Sequence, residues 1–148
     1  MKNEYDYIER IGNTYESYND SATRKINYFF HKQQVKTVVD LLKKMKLQEF
    51  ERVIDLGCSD GGRLDDYKLM SFRNIVGIDI SKERTEKAKS RGYSEVFDTN
   101  AYDLPFENNS ESCVISNGMF VHVLQDSDKL KIFTEVKRIL KKKWNLYF

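Results

Sequence analysis

The spacing of apolar residues along this chain changes at Arg52. From Thr23 to Lys46, Ile26, Phe29, Phe30, Val35, Val38, Val39, Leu41, Leu42 and Met45 recur near a helical period, with Lys32, Lys36, Lys43 and Lys44 on much of the other face. That pattern predicts one or two amphipathic helices. Before it, residues 1–22 are polar and rich in Tyr. After it, the apolar runs are short and β-branched. Arg52–Leu56, Asn74–Asp79, Glu95–Asp98 and Ser112–Ser116 predict four strands. Between them, residues 63–70 are weakly helical. Ser81 can cap a helix running through Arg91, with Glu83 near its positive end and Gly92 at its exit. Asp103-Leu-Pro-Phe106 with Asn108-Asn109 reads as a loop. Ser127–Lys141 predicts a helix expected to turn Leu130, Phe133, Val136 and Leu140 inward.

Strands alternating with helices form βαβ units, and short apolar runs suit strands covered on both faces. The expected fold is therefore α/β: a doubly wound, mostly parallel sheet with helices on both faces. A length of 148 residues fits a single domain. Within it, 1–48 is the N-terminal lid with its helices and 49–148 the α/β core.

Composition narrows the class. With 40% hydrophobic and 13% aromatic residues, the chain has material for a core and is not a disordered tail. No apolar run approaches the roughly 20 residues of a membrane-spanning helix. The first residues alternate charge and Tyr where a secretory signal has an apolar centre. Two cysteines, Cys58 and Cys113, are too few for a disulfide scaffold, so the expected compartment is the reducing cytoplasm. No CxxC or clustered His accompanies them, so no metal is expected. Twenty-five Lys and Arg against 23 Asp and Glu leave +2, which favours neither nucleic acid nor an acidic partner. The basic run at Lys137, Arg138 and Lys141–Lys143 reads as the solvated, dipole-satisfying end of the last helix.

In a doubly wound sheet, ligands bind beside the carboxyl ends of the strands where strand order reverses. The first strand ends in Gly57-Cys-Ser-Asp-Gly-Gly62, a glycine turn whose backbone can approach a ligand closely. Asp79 ends the second strand, where a carboxylate can accept two hydrogen bonds from a ribose diol. A dinucleotide fingerprint needs a glycine where this chain has Ser59, and Asp55 would repel a pyrophosphate. Asp55 suits an ammonium group instead. An amino-acid-bearing nucleoside fits both ends, and S-adenosylmethionine is such a ligand.

Val53-Ile-Asp-Leu-Gly-Cys-Ser-Asp-Gly-Gly62 resembles the first motif of class I S-adenosylmethionine-dependent methyltransferases, and Val76-Gly-Ile-Asp-Ile-Ser81 resembles their second. Asn100-Ala-Tyr-Asp-Leu-Pro-Phe106, Ser116-Asn-Gly-Met-Phe-Val-His122 and Glu135-Val-Lys-Arg-Ile-Leu140 are similar to later stretches of the same family. The resemblance implies a Rossmann-like fold and methyl transfer from S-adenosylmethionine, with S-adenosylhomocysteine as product. By the same resemblance, Asp55, Gly57, Cys58 and Ser59 would line the methionine part, with Asp55 near the amino group. Asp79 would hold the ribose and Ile80 would pack on the adenine. Asn100 and Ala101 would face the adenine edge, with Asn100 standing where the family usually has Asp. Asn117, Gly118 and Met119 would form the floor under the sulfonium. His122, at the mouth of the acceptor side, is the candidate general base. Tyr15 and Tyr18 are candidates for a lid over the cofactor.

The family's sheet usually has seven strands, whereas four strands and their helices are spent here by residue 141. Trp144–Phe148 is enough for one short fifth strand, so the sheet is expected to be C-terminally shortened, in a truncated or decayed chain or one whose exposed sheet edge a homodimer covers. A small molecule is the default acceptor, with protein or RNA as alternatives. A protein that binds the cofactor without transferring the methyl is the second reading. Gly57-Cys-Ser-Asp-Gly61 also matches the Gly-x-Ser-x-Gly elbow of serine hydrolases, with Asp103 and His122 following in order. That third reading lacks the strands such an enzyme places before its nucleophile.

Overall fold

The computed structural model describes residues 51–69 and 72–142, with scattered positions between 33 and 47. Tyr15, Tyr18 and the expected strand at 144–148 lie outside the described residues. The chain divides into two compact units, Met1–Lys44 and Met45–Phe148. In the first, every described position from 33 to 44 is helical, as the apolar spacing predicts. Thr37 Oγ1 there donates to the Gln33 carbonyl one turn back, at 2.9 Å.

The second unit runs β1 (Val53–Leu56), α1 (Leu64–Leu69), β2 (Ile75–Asp79), α2 (Lys82–Arg91), β3 (Glu95–Asp98), β4 (Cys113–Ile115), a 3-10 turn (Met119–His122) and α3 (Asp126–Ile139). The strands lie in the order β3-β2-β1-β4 and every pairing is parallel. The chain thus starts in the middle, moves outward through β2 to β3, then crosses back to lay β4 on the other side of β1. That reversal puts the switch point between β1 and β4.

All four residues of β1 are buried, and their alternation assigns them to two layers. Ile54 and Leu56, with Val76 and Ile78 of β2, pack against Ile132, Val136 and Ile139 of α3. Each such side chain contributes roughly 1.5–3 kcal/mol by leaving water. Asp55 points to the opposite face, where Tyr67 of α1 donates a hydrogen bond to it. Helices therefore cover both faces, as expected.

The inward stripe of α3 differs from the one expected. Ile132, Val136 and Ile139 are buried, with Leu140 just past the helix end, whereas Leu130 is 67% exposed. Two residues before Ile132 lies nearly the opposite side of a helix, so Leu130 shares its face with Thr134 and Lys137. Phe133 sits at the flank and stacks on Phe120 of the 3-10 turn, with centroids 5.0 Å apart. Helix α2 follows its sequence signals closely. Ser81 Oγ accepts from the Arg84 N–H, and Gly92 closes the helix with φ 95°. The edge strand β3 exposes Glu95 and Asp98, charges that discourage pairing with another chain.

Beyond α3 the chain returns beside β4. The Glu111 N–H donates to the Ile139 carbonyl, the Lys141 N–H donates to the Glu111 carbonyl, and Glu111 bridges Leu140 in parallel. The Glu111 side chain is fully buried and takes a two-point bond from Arg52, at 2.6 and 2.7 Å. Ser112 is buried just before β4 and accepts a hydrogen bond from Lys141 Nζ at 2.9 Å. Lys141, expected at a solvated helix end, is thus partly committed to the sheet.

Candidate functional site

A cavity of about 470 Å³ opens at the carboxyl ends of the strands. Its floor is Leu56 and Gly57 at the end of β1 and Ile78 and Asp79 at the end of β2. One wall is the loop after β3, with Thr99, Asn100, Ala101 and Tyr102. The other is the 3-10 turn and the start of α3, with Met119, His122, Leu124, Gln125, Asp128 and Ile132 among its residues.

The glycine turn makes this floor possible. Gly57 has φ 85°, a conformation L residues with side chains adopt at a cost, and a Cβ on it would lie 2.7 Å from Met119 Cβ. The 3-10 turn can therefore sit directly over the end of β1. Its seat is fixed from behind by the Phe120–Phe133 stack, and this holds Met119 and His122 at the cavity.

Asp79 is oriented by backbone. Its Oδ2 accepts from the Ser59 N–H and its Oδ1 from the Ser81 N–H, both at 2.9 Å. These bonds tie the glycine turn to the start of α2. A carboxylate oxygen accepts more than one hydrogen bond, so the lone pairs turned to the cavity remain usable by hydroxyl donors. Beside it Ile80 is 71% exposed, an apolar surface at the cavity rim. Across the cavity, Asn100 Oδ1 accepts from the Tyr102 N–H at 3.3 Å, a turn that sets the loop around Ala101.

Of the residues expected to bind a cofactor, the cavity gathers Gly57, Asp79, Ile80, Asn100, Ala101 and Met119, and it gathers the expected base His122. It does not gather Asp55. That carboxylate is 2% exposed on the sheet face covered by α1 and α2. Tyr67 Oη donates to its Oδ1 at 3.0 Å and Tyr93 Oη to its Oδ2 at 2.6 Å. Strand β1 continues through Leu56, so Asp55 lies inside the sheet rather than at its rim. Cys58 and Ser59 are also off the cavity. Cys58 turns back toward Gly77, where a Cβ would stand 2.8 Å from its sulfur. Ser59 takes a left-handed φ of 52°, and its Oγ meets Arg84 Nη1 at 3.4 Å. Asn117 and Gly118 likewise do not line the cavity; Gly118 is exposed, at φ 81°, capping the 3-10 turn.

The electrostatics of the sealed side are distinctive. Burial pushes the Cys58 thiol up to about 12, and the Asp55 and Asp79 carboxylates push it the same way. Burial also raises the Cys113 thiol to about 12. Tyr93 is held well above the usual phenol range by burial and by Asp55. Among the described residues no group of three or more His, Cys, Asp or Glu is placed to hold a metal. The hydrolase reading finds no relay here, since Ser59 bonds to Arg84 rather than to His122 or Asp103.

Sequence reasoning missed several features. Thr99, Tyr102, Leu124, Gln125 and Asp128 reach the cavity from loops and helix starts, where periodicity carries no signal. At the end of β4, Ser116 Oγ is buried with no hydrogen-bond partner. By strand alternation Ser116 points to the α3 face of the sheet, as do Leu56 and Ile78 of the cavity floor.

A parallel sheet opening on such a cavity, with an acid fixed by backbone at the end of its second strand, is the arrangement of a nucleoside- or nucleotide-binding α/β domain. Within that class the sequence matches a methyltransferase domain family over residues 54–148, and the chain belongs to that family. A solved protein of Pyrococcus horikoshii is 32% identical with a TM-score of 0.61, the match covering 75% of this chain and 53% of that one. A SAM-dependent methyltransferase of Methanosarcina mazei is 27% identical with a TM-score of 0.56, over 64% and 50% of the two chains. An uncharacterized protein of Methanocaldococcus jannaschii is 28% identical over 137 residues, 93% of this chain and 51% of its own length. The chain spans about half the length of the curated relatives it matches. No helix among the described residues is long and apolar enough to cross a membrane.

Proposed function

We propose that this chain binds S-adenosylmethionine in the cavity and transfers its methyl group to a small-molecule acceptor, leaving S-adenosylhomocysteine. The observation that carries the reading is Asp79, an acid at the cavity floor whose two oxygens are aimed by the Ser59 and Ser81 amides. Such an acid accepts both hydroxyls of a ribose. Ile80 offers an apolar face to an adenine, and Asn100 with Ala101 offers polar groups to its edge. A cavity of about 470 Å³ is in the range of small-ligand sites.

The nucleoside half of the ligand fits these residues. The amino-acid half does not find Asp55, whose oxygens face Tyr67 and Tyr93. That end of the ligand falls to the switch between β1 and β4, where the unpartnered Ser116 hydroxyl calls for a polar group. When bound, S-adenosylmethionine supplies an already electrophilic methyl carbon, so the protein's task is alignment. Gly57 and Met119 shape the floor, and His122 at the rim accepts a proton where the acceptor holds one tightly.

Calorimetry with S-adenosylmethionine, S-adenosylhomocysteine and NAD tests the reading. Saturable binding of the first two and none of NAD supports it; binding of NAD alone overturns it. The position of Asp55 favours a second reading, binding without methyl transfer, because the charge expected at the ligand's amino group is elsewhere. Turnover with any member of an acceptor panel decides against that second reading.

A further inference from the structure

The loop from Thr99 to Ser110 makes one wall of the cavity, yet it belongs to no strand or helix. Its first part is tied to the end of β2 and to itself. The Thr99 N–H donates to the Asp79 carbonyl, the Asp103 N–H to the Asn100 carbonyl, and Thr99 Oγ1 to the Asp103 carbonyl. Its second part is held from across the core by two side chains of α3. Glu135 Oε1 accepts from the Leu104 N–H at 2.8 Å, while Arg138 Nη2 donates to the Leu104 carbonyl at 3.0 Å. The pair satisfies both backbone groups of one buried residue, as a neighbouring strand would.

Arg138 is engaged through its whole fork. Nη1 donates to the Phe106 carbonyl at 2.8 Å and to Asn108 Oδ1 at 2.9 Å. Nε and Nη2 donate to the two oxygens of Glu135, at 2.8 and 2.7 Å. The Arg138 backbone carbonyl also accepts from the Asn109 N–H. A lysine could not span this geometry, because its ammonium is a point donor where the guanidinium is a planar fork. The charges reinforce one another: the Arg138 hydrogen bonds hold the Glu135 carboxyl below its usual range. Phe106 is fixed separately, edge-on to Phe97 and under Arg52. The loop therefore keeps an apolar anchor if the polar one is removed.

We propose that Glu135 and Arg138 are positioning residues for the adenine side of the cavity, holding from α3 the loop that presents Asn100 and Ala101. This rests on the adenosyl reading of the ligand. The sequence placed both residues in a motif but left Arg138 as a solvated helix end; the structure makes it the inner brace of the binding wall.

Two measurements on the full chain test it. The first is amide hydrogen exchange without ligand, wild type against Arg138→Ala. Faster exchange confined to residues 99–110, with β1 and β2 unchanged, supports the brace. Unchanged exchange in the loop overturns it, whatever the ligand is. The second is calorimetry with three probes: S-adenosylhomocysteine, 5′-methylthioadenosine, which keeps the adenine but lacks the amino acid, and S-ribosylhomocysteine, which lacks the adenine. Arg138→Ala should weaken the first two by about tenfold, the worth of a lost charge-assisted hydrogen bond. It should leave the third within about twofold. Arg138→Lys should behave like the alanine variant. Equal weakening of all three probes assigns the pair a general folding role and overturns the proposal, as does full rescue by lysine. If the wild type binds none of the probes, the adenosyl reading fails, while hydrogen exchange still reports on the brace.

Discussion

Asp55 and Asp79 invite the same reading in sequence, and the structure puts them to different uses. Both follow β-branched residues on a central strand, and both lie on the same face by register, since Asp55 pairs with Gly77 two residues before Asp79. They differ in depth. Asp55 lies within the sheet and is sealed by two tyrosine hydroxyls, whereas Asp79 is level with the turn beyond β1 and is aimed by two backbone amides. Two residues along a strand, roughly 7 Å, separate a carboxylate that braces the scaffold from one that faces the cavity. An acidic residue in a binding motif thus does not reach the cavity by sequence position alone; its distance from the end of the strand decides.

The largest effect that would break this comparison is on stability. Asp55→Ala removes the buried carboxylate that accepts from the Tyr67 and Tyr93 hydroxyls and should cost about 3 kcal/mol in urea unfolding. Asp79→Ala, which takes the acceptor from two part-buried backbone amides, should cost less, about 1–2 kcal/mol. A reversed order would contradict the division of roles. Next comes affinity: Asp79→Ala should weaken S-adenosylhomocysteine by about 1–3 kcal/mol in calorimetry, the worth of a charge-assisted ribose clamp.

A third test uses pH. Cys58 and Cys113 are held at about 12, above the ordinary thiol value of 9.0. Between those values the unfolded chain has released its thiol protons and the folded chain has not. The unfolded state binds fewer protons, so stability falls as pH rises above about 9, by at most about 1.4 kcal/mol per pH unit for each thiol. Below pH 9 both states keep the proton and the effect vanishes. Urea midpoints from pH 8 to 10.5, compared with a Cys58→Ala, Cys113→Ala double variant, should show the slope shrinking in the variant. The smallest effect is at Ser59, whose φ of 52° is left-handed. Ser59→Gly should stabilise the fold by up to about 1 kcal/mol in thermal unfolding, and a destabilisation would mean that the Arg84 contact outweighs the strain.

The scaffold of this site was legible in sequence because its signals are local. Ser81 and Gly92 marked the ends of α2, and Glu95–Asp98 marked β3 by its β-branched and aromatic centre. The family motif named Asp79, Ile80 and Asn100, and all three line the cavity. What could not be read depends on residues far apart in the chain. Tyr93 capping Asp55 and Arg138 capping Leu104 are pairings that no period or spacing encodes. Leu130 was misplaced because one helix supports two overlapping apolar stripes, and only the opposing Ile54 and Leu56 select Ile132 and Val136. The 3-10 turn at Met119–His122 is too short to leave a periodic trace, although its two ends line the cavity.

The most direct test of the central claim is a crystal structure of the chain with S-adenosylhomocysteine. The account predicts both ribose hydroxyls on the Asp79 carboxylate, with Asp55 still bonded to Tyr67 and Tyr93. A ligand whose ammonium group sits on Asp55, or whose ribose lies away from Asp79, would contradict it.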